Sequence, residues 1–249
     1  FAHDIATVAA ISNAGGYGVY GATRRFPDEI TQELAQIKAL VGERPFGVDL
    51  VLPPGMPEHD SREAIEIDIP DGHKAFVQSI IEQYSIPPAT QPGMRTRFIR
   101  SAEIEAAQIQ SVLASPVNMF ACGIGAPAAV IEAAKAQGMT TLALIGSPHH
   151  VARTIAAGVD IIVAQGYDAG AHTGTIGTYS LVPQIVEAAG DVPVLVAGGV
   201  ATGKHIAAAL AMGAQGVWMG TAWLFSEEHQ GHMHPINTQK LIEAGSGDT

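Results

Sequence analysis

Seven times along 249 residues, a stretch of helical spacing gives way to a stop at glycine or a polar turn, and then to a short apolar strand. The first helix, around Ile5 to Ser12, stops at Ala14-Gly15-Gly16 and feeds Gly18-Val19-Tyr20. The second has Pro27 in its first turn and Asp28 and Glu29 beside the positive end of its dipole; Ile30, Leu34, Ile37 and Val41 share one face, and it feeds Phe46 to Leu52. Glu103 to Leu113 then precedes Val117 to Ala121, and Pro127 to Gln137 precedes Thr141 to Ile145. Ser147 and Pro148, as N-cap and first position, open a helix that stops at Gly158 before Ile161 to Ala164. Leu181 to Ala189 precedes Val192 to Ala197, and His205 to Met212 precedes Gly216 to Met219.

Nearly continuous Val, Ile and Leu strands separated by helices mean parallel strands covered by those helices, not a half-exposed antiparallel sheet. An open doubly wound sheet satisfies the same pattern. Seven helix–strand copies preceded by one further strand make eight, the number that closes a (β/α)8 TIM barrel. The expectation is therefore a single α/β domain over residues 1–249, a barrel whose first strand is missing from this chain, the sequence being a segment of a longer protein. Residues 53–115 are expected to form an elaborated loop and helical insertion over the strand ends, with Phe76, Val77, Ile80, Ile81 and Tyr84 on one face of its helix.

Composition removes several classes of function. Thirteen Lys and Arg against 24 Asp and Glu give a net charge of −11, which repels a phosphodiester backbone and leaves no basic stripe for one. No apolar run is long enough to cross a bilayer, so no membrane partner is expected. Cys122 is the only cysteine, which rules out an intrachain disulfide and a cysteine-based metal site, and no metal is expected. That usage suits a reducing cytoplasm.

In a parallel barrel the C-terminal ends of the strands, and the loops after them, carry the chemistry. Three of those ends hold unusually permissive backbone: Gln165-Gly166-Tyr167-Asp168-Ala169-Gly170-Ala171-His172-Thr173-Gly174, Ala197-Gly198-Gly199-Val200 and Trp218-Met219-Gly220-Thr221. Glycine lets main chain approach a ligand closely, and free amides before a helix favour an anion such as phosphate. Two such sites on the last two strands match the position at which barrels commonly hold phosphate, which points to a phosphorylated cofactor.

The same residues carry a resemblance. QGYDAGAHTG from Gln165, LVPQIV from Leu181, PVLVAGGV from Pro193 and GAQGVWMGTAWL from Gly213 resemble the nitronate monooxygenase (2-nitropropane dioxygenase) family in wording and order. NAGGYGVYGA from Asn13 and RPFGVDLVL from Arg44 extend the match. The resemblance implies FMN across the barrel mouth, alkyl nitronate or nitroalkane as small-molecule substrate together with O2, and a homo-oligomer is compatible with it. It also implies His172 as the catalytic residue beside the flavin ring. Asp49 falls at a flavin-contacting position that is commonly Asn, and Gln165 and Gly170 would reach the ring and ribityl region. Gly198 and Gly199 would take the phosphate from one side, with Met219, Gly220 and Thr221, and Trp218 beside them, on the other. Asp at 49 and Ala at 171, where Gly is more usual, depart from the family pattern and bear on substrate preference. An FMN- and NAD(P)H-dependent enoyl-acyl-carrier-protein reductase shares much of this wording, and a flavin-binding barrel without catalysis is a third reading.

Of ten histidines, His172 alone follows a strand end inside a glycine-rich loop, where a ring that titrates near neutrality can face a ligand. His149, His150, His229, His232 and His234 read as solvent-side or tail residues. Cys122, also at a strand end, has no adjacent base and reads as a small buried residue rather than a nucleophile.

Overall fold

A computed structural model of the chain describes residues 4–58, 66–90 and 100–245. Seven parallel strands pair strictly in chain order: β1 (Gly18–Gly21), β2 (Phe46–Val51), β3 (Met119–Gly123), β4 (Thr140–Ile145), β5 (Ile161–Gln165), β6 (Val194–Ala197) and β7 (Gly216–Trp218). An unbroken order without a reversal point is that of a barrel wall, not of a doubly wound sheet. No pairing joins β7 to β1 among the described residues, so the sheet has seven strands and is open at that seam.

Alternation along the strands separates two faces. Met119, Ala121, Leu142, Val163 and Ala197 form an inner cluster, with Val19, Leu144, Ile161, Leu195 and Trp218 packed against it. The intervening residues meet helices in two outer cores, one around Tyr20, Phe46, Val48, Leu50 and Phe120, the other around Ile162, Leu181, Ile185 and Val196.

The helices form where their sequences call for them. In α2 (Pro27–Val41), Pro27 opens the helix, and Ile30, Leu34 and Ile37 are fully buried and Val41 nearly so. Burying each such side chain stabilises the packing by about 1.5–3 kcal/mol. In the same outer layer, α1 (Ile5–Asn13) packs against both β1 and α2. After β2 comes α3 (Asp71–Gln83), most of whose apolar face is left uncovered by the described residues: Phe76, Val77 and Tyr84 are all more than half exposed. Next, α4 (Ala102–Leu113) packs on α2 as an ordinary barrel helix, so the elaborated region after β2 ends before it rather than at residue 115. The far part of the expected insertion, Gln91 to Met94, lies outside the described residues. The remaining helices are α5 (Ala128–Ala136), α6 (Val151–Ala156), α7 (Thr178–Ala189), α8 (Gly203–Ala211) and α9 (Pro235–Glu243).

The two ends of the curl meet on the helical layer. Asp4 caps α1 by accepting from the Thr7 amide at 2.6 Å, and its other oxygen lies 2.7 Å from Nδ1 of His229, in the 3-10 segment that follows β7. His229 is therefore buried, and the expectation of a solvent-side residue fails for it: a chain position 225 residues away, invisible in the local sequence, supplies its partner. Burial alone would raise the pKa of Asp4, but the hydrogen bonds from Thr7 and His229 outweigh it and hold the carboxyl below its ordinary value. A depressed carboxylate contributes stability that is complete above its unfolded value, ~4, and is lost as pH falls through the folded one. Melting followed from pH 6 down to pH 3 should show the wild type losing stability below pH ~4, and Asp4→Asn, less stable at neutral pH, should show a flatter profile. Parallel profiles would remove Asp4 as an acid-sensitive tie.

Candidate functional site

The chemistry-bearing loop begins where β5 ends. Alternation points Gln165 inward, and its Nε2 donates to the His172 carbonyl at 3.0 Å, so a buried strand residue fixes the backbone of the histidine seven positions later. The loop then folds back: Tyr167 N–H donates to the Ile176 carbonyl, and the Thr178 amide donates to Asp168 Oδ2 at 2.7 Å. Those bonds from Thr178 hold the Asp168 carboxyl below the usual carboxylate range. They also start α7 three residues earlier than periodicity predicts. At its far end the loop presses on the turn after β4, where a Cβ on Gly174 would land on the Gly146 carbonyl oxygen. His172 itself is exposed, and its ring has no hydrogen-bond partner among the described residues. It lines a cavity of about 1210 Å³ at the strand C-termini, together with Gln165, Thr173, Val51, Gly123 and Leu144.

A second feature sits over β6 and β7. Gly198 and Gly199 both take positive φ, +109° and +68°, a conformation that favours glycine. A Cβ on Gly198 would lie 2.5 Å from Thr178 Oγ1, so the segment is in tight contact with the loop after β5. The amides of Ala201 and Thr202 both donate to His205 Nδ1, at 3.1 and 3.2 Å, whereas those of Gly198, Gly199, Gly220 and Thr221 donate to no protein acceptor among the described residues. Trp223 Nε1 donates to the Met219 carbonyl at 3.0 Å and fixes that turn. Gly170 joins the two features, because a Cβ on it would lie 2.6 Å from Thr221 Oγ1. Gln165, Gly170, His172, Gly198, Gly199 and Thr221 are thus linked through one loop, with Trp218 facing inward on β7. The cavity wall reaches Gln165 and His172 but not Gly198, Gly199 or residues 218–221.

Asp49 lies below this level on the inner face of β2, in register with Gly21 and Ala121. It is buried, neither carboxylate oxygen has a hydrogen-bond partner among the described residues, and burial pushes its pKa up to about 7. Cys122, on β3 in register with Leu50, points the other way into an outer core, and burial raises its thiol to about 12, which leaves it unsuited to nucleophilic work. Among the described residues no three His, Cys, Asp or Glu side chains gather to hold a metal, and no helix is long and apolar enough to cross a membrane. Local sequence gave no sign of two neighbours of the cavity, His150 and Arg153. His150 is half-buried rather than solvent-side, and burial and the nearby Arg153 charge hold its pKa below the ordinary value.

Fold and site together define a parallel α/β protein with two glycine-built turns after its last two strands and a histidine-bearing cleft at one end of its sheet. The family model for nitronate monooxygenase matches residues 4–249, and the chain belongs to that family, whose members are oxidoreductases. It is 40% identical over its full length to Rv1533 of Mycobacterium tuberculosis, which carries a provisional monooxygenase name, and 35% identical over 89% of its length to a probable nitronate monooxygenase of Staphylococcus haemolyticus. The chain spans 68% and 61% of those two proteins. Among solved structures it resembles a nitroalkane oxidase from Streptomyces ansochromogenes, with a TM-score of 0.75, 29% identity and coverage of 94% of this chain and 68% of that one. It also resembles FabK from Thermotoga maritima, with a TM-score of 0.73, 24% identity and coverage of 98% and 62%, a likeness that carries the fold alone.

Proposed function

We propose that this chain forms the FMN-binding and substrate-binding part of an enzyme that oxidises alkyl nitronates with O2 to a carbonyl compound and nitrite. The observation that carries this reading is the loop after β5, which presents His172 to a large cleft at the strand ends while its Gly170 abuts the Gly220–Thr221 turn. The residues fit a flavin mononucleotide. Amides without protein partners at Gly198, Gly199, Gly220 and Thr221 suit one phosphate, and the buried, unpartnered Asp49 and the inward Gln165 and Trp218 suit a polar-edged ring. When bound, FMN supplies the redox chemistry, accepting electrons from the substrate and passing them to O2. The chain supplies position and proton transfer. His172 would take the carbon proton of a neutral nitroalkane, and Gln165 would keep its backbone in place.

The test is made on the full-length protein as purified. Mass spectrometry of the released cofactor is expected to give FMN, and aerobic turnover of a preformed nitronate is expected to give nitrite. FAD, or no flavin, would overturn the cofactor assignment. Consumption of NADH without nitrite formation would replace the reaction with a reductase activity.

A further inference from the structure

Asp49 is the one ionisable side chain on the inward face of the seven strands; every other inward position on β1 to β7 is apolar, glycine, or the uncharged Thr140 and Gln165. Isolated burial of an ionised carboxylate costs several kcal/mol, so a carboxyl in such a place is either paired or neutral. Here both oxygens lack partners among the described residues. Buried polar atoms of native proteins are nearly always hydrogen-bonded, and an exception calls for a partner outside the chain. The direction of that partner is also fixed. A Cβ built on Gly123 would lie 4.0 Å from Asp49 Oδ1 and 3.3 Å from Val51 Cγ2, and Gly123 and Val51 both line the cavity. The missing side chain at Gly123 leaves the Asp49 carboxyl directly beneath the cavity floor.

We propose that Asp49 binds the cofactor ring as a neutral carboxylic acid, donating one hydrogen bond and accepting another from an imide-type edge that presents N–H and C=O side by side. This rests on the flavin reading above, since the pyrimidine side of a flavin carries such an edge. A neutral acid offers both a donor and an acceptor, whereas the carboxylate offers acceptors only and adds a charge. The surroundings favour the neutral form. Val19 and Gly21 of β1 and Ala121 and Gly123 of β3 share its face, and none ionises. The Cys122 thiol, on the opposite face of β3, is neutral. Beyond the strand end the Arg100 guanidinium donates to the Val51 carbonyl and pairs with Glu105 at 3.0 Å. Burial raises the carboxyl and the charge of the chain's N-terminal amino group lowers it; burial prevails, and the carboxyl titrates at about 7.

The consequence is a proton taken up with the ligand once the free protein has ionised. Above pH ~7, where the FMN phosphate, with a second pKa of about 6, is already a dianion, affinity for FMN should fall by about tenfold per pH unit, the slope for one linked proton. FMN is titrated into flavin-free full-length protein from about pH 7 to about pH 9, with binding read from quenching of flavin fluorescence. Asp49→Asn keeps a donor and an acceptor at all pH values and should bind FMN with a flat profile. FMN bound with pH-independent affinity by the wild type, or the same slope in wild type and Asp49→Asn, would overturn the role of Asp49 and leave the flavin reading standing. No FMN binding at any pH would overturn both. If Asp49→Asn fails to fold, the wild-type slope decides alone.

Discussion

His172→Asn is expected to cut turnover of a neutral nitroalkane by about 10² to 10⁴-fold, the usual worth of a general base, and to leave a preformed nitronate much less affected. The two substrates differ only in the proton already lost. The structure makes the comparison clean, because the His172 ring is exposed on the cavity wall and bonds to no protein group among the described residues, while its backbone is held separately by Gln165. Replacing the ring by a side chain of similar polarity should therefore leave the loop in place. Initial rates on both substrate forms at fixed O2, after equal flavin content is confirmed, give the answer. Equal losses on the two forms would indicate positioning rather than proton transfer. Unchanged rates on both would remove His172 from the active site.

Gly18→Ala is expected to produce the largest loss of stability. A Cβ there would land on the Val8 carbonyl oxygen and within 2.9 Å of Ser12 Oγ. That hydroxyl accepts from the Gly18 amide at 3.0 Å and donates to the Pro45 carbonyl at 2.9 Å, so the contact cannot relax without separating α1 from both β1 and the entry to β2. The obstacle is backbone, which puts the cost at the upper end of the overpacking range, about 3 kcal/mol. For a chain of this size that lowers Tm by roughly 6–12 °C. Gly15→Ala is the control: Gly15 has open space around its Cβ position and only a positive φ of +91°, so its cost should be about 1 kcal/mol. Thermal denaturation of the two variants checks this, and equal losses would show that the α1–β1 junction yields.

The fold was largely legible in the sequence because burial on parallel strands writes long apolar runs, and because Ile30, Leu34, Ile37 and Val41 repeat at helical spacing. What was misplaced depends on distant partners. The start of α7 at Thr178 is set by Asp168 ten positions earlier, and Gly123 stays within β3 because it pairs with Val51. The pairing of His229 with Asp4 spans almost the whole chain. The helical stretch of the elaborated loop was readable as amphipathic, yet most of its apolar face is uncovered among the described residues, since periodicity reports a face and not its cover. At the site, glycine-rich wording marked the segments that approach one another. That Asp49 is left without a partner could not be read, because the strand sequence shows which way a side chain points and not what it meets.

The strictly sequential sheet has a kinetic meaning. Each helix–strand unit docks on the one just before it, so most of the wall can grow through short loop closures, whose entropy cost rises only slowly with length. The contact between Asp4 and His229 is of another kind, since it closes a loop of more than two hundred residues. Such a contact is rewarded only after the intervening wall is in place, so it behaves as a clasp fastened at the end of folding and the first tie released on the way out.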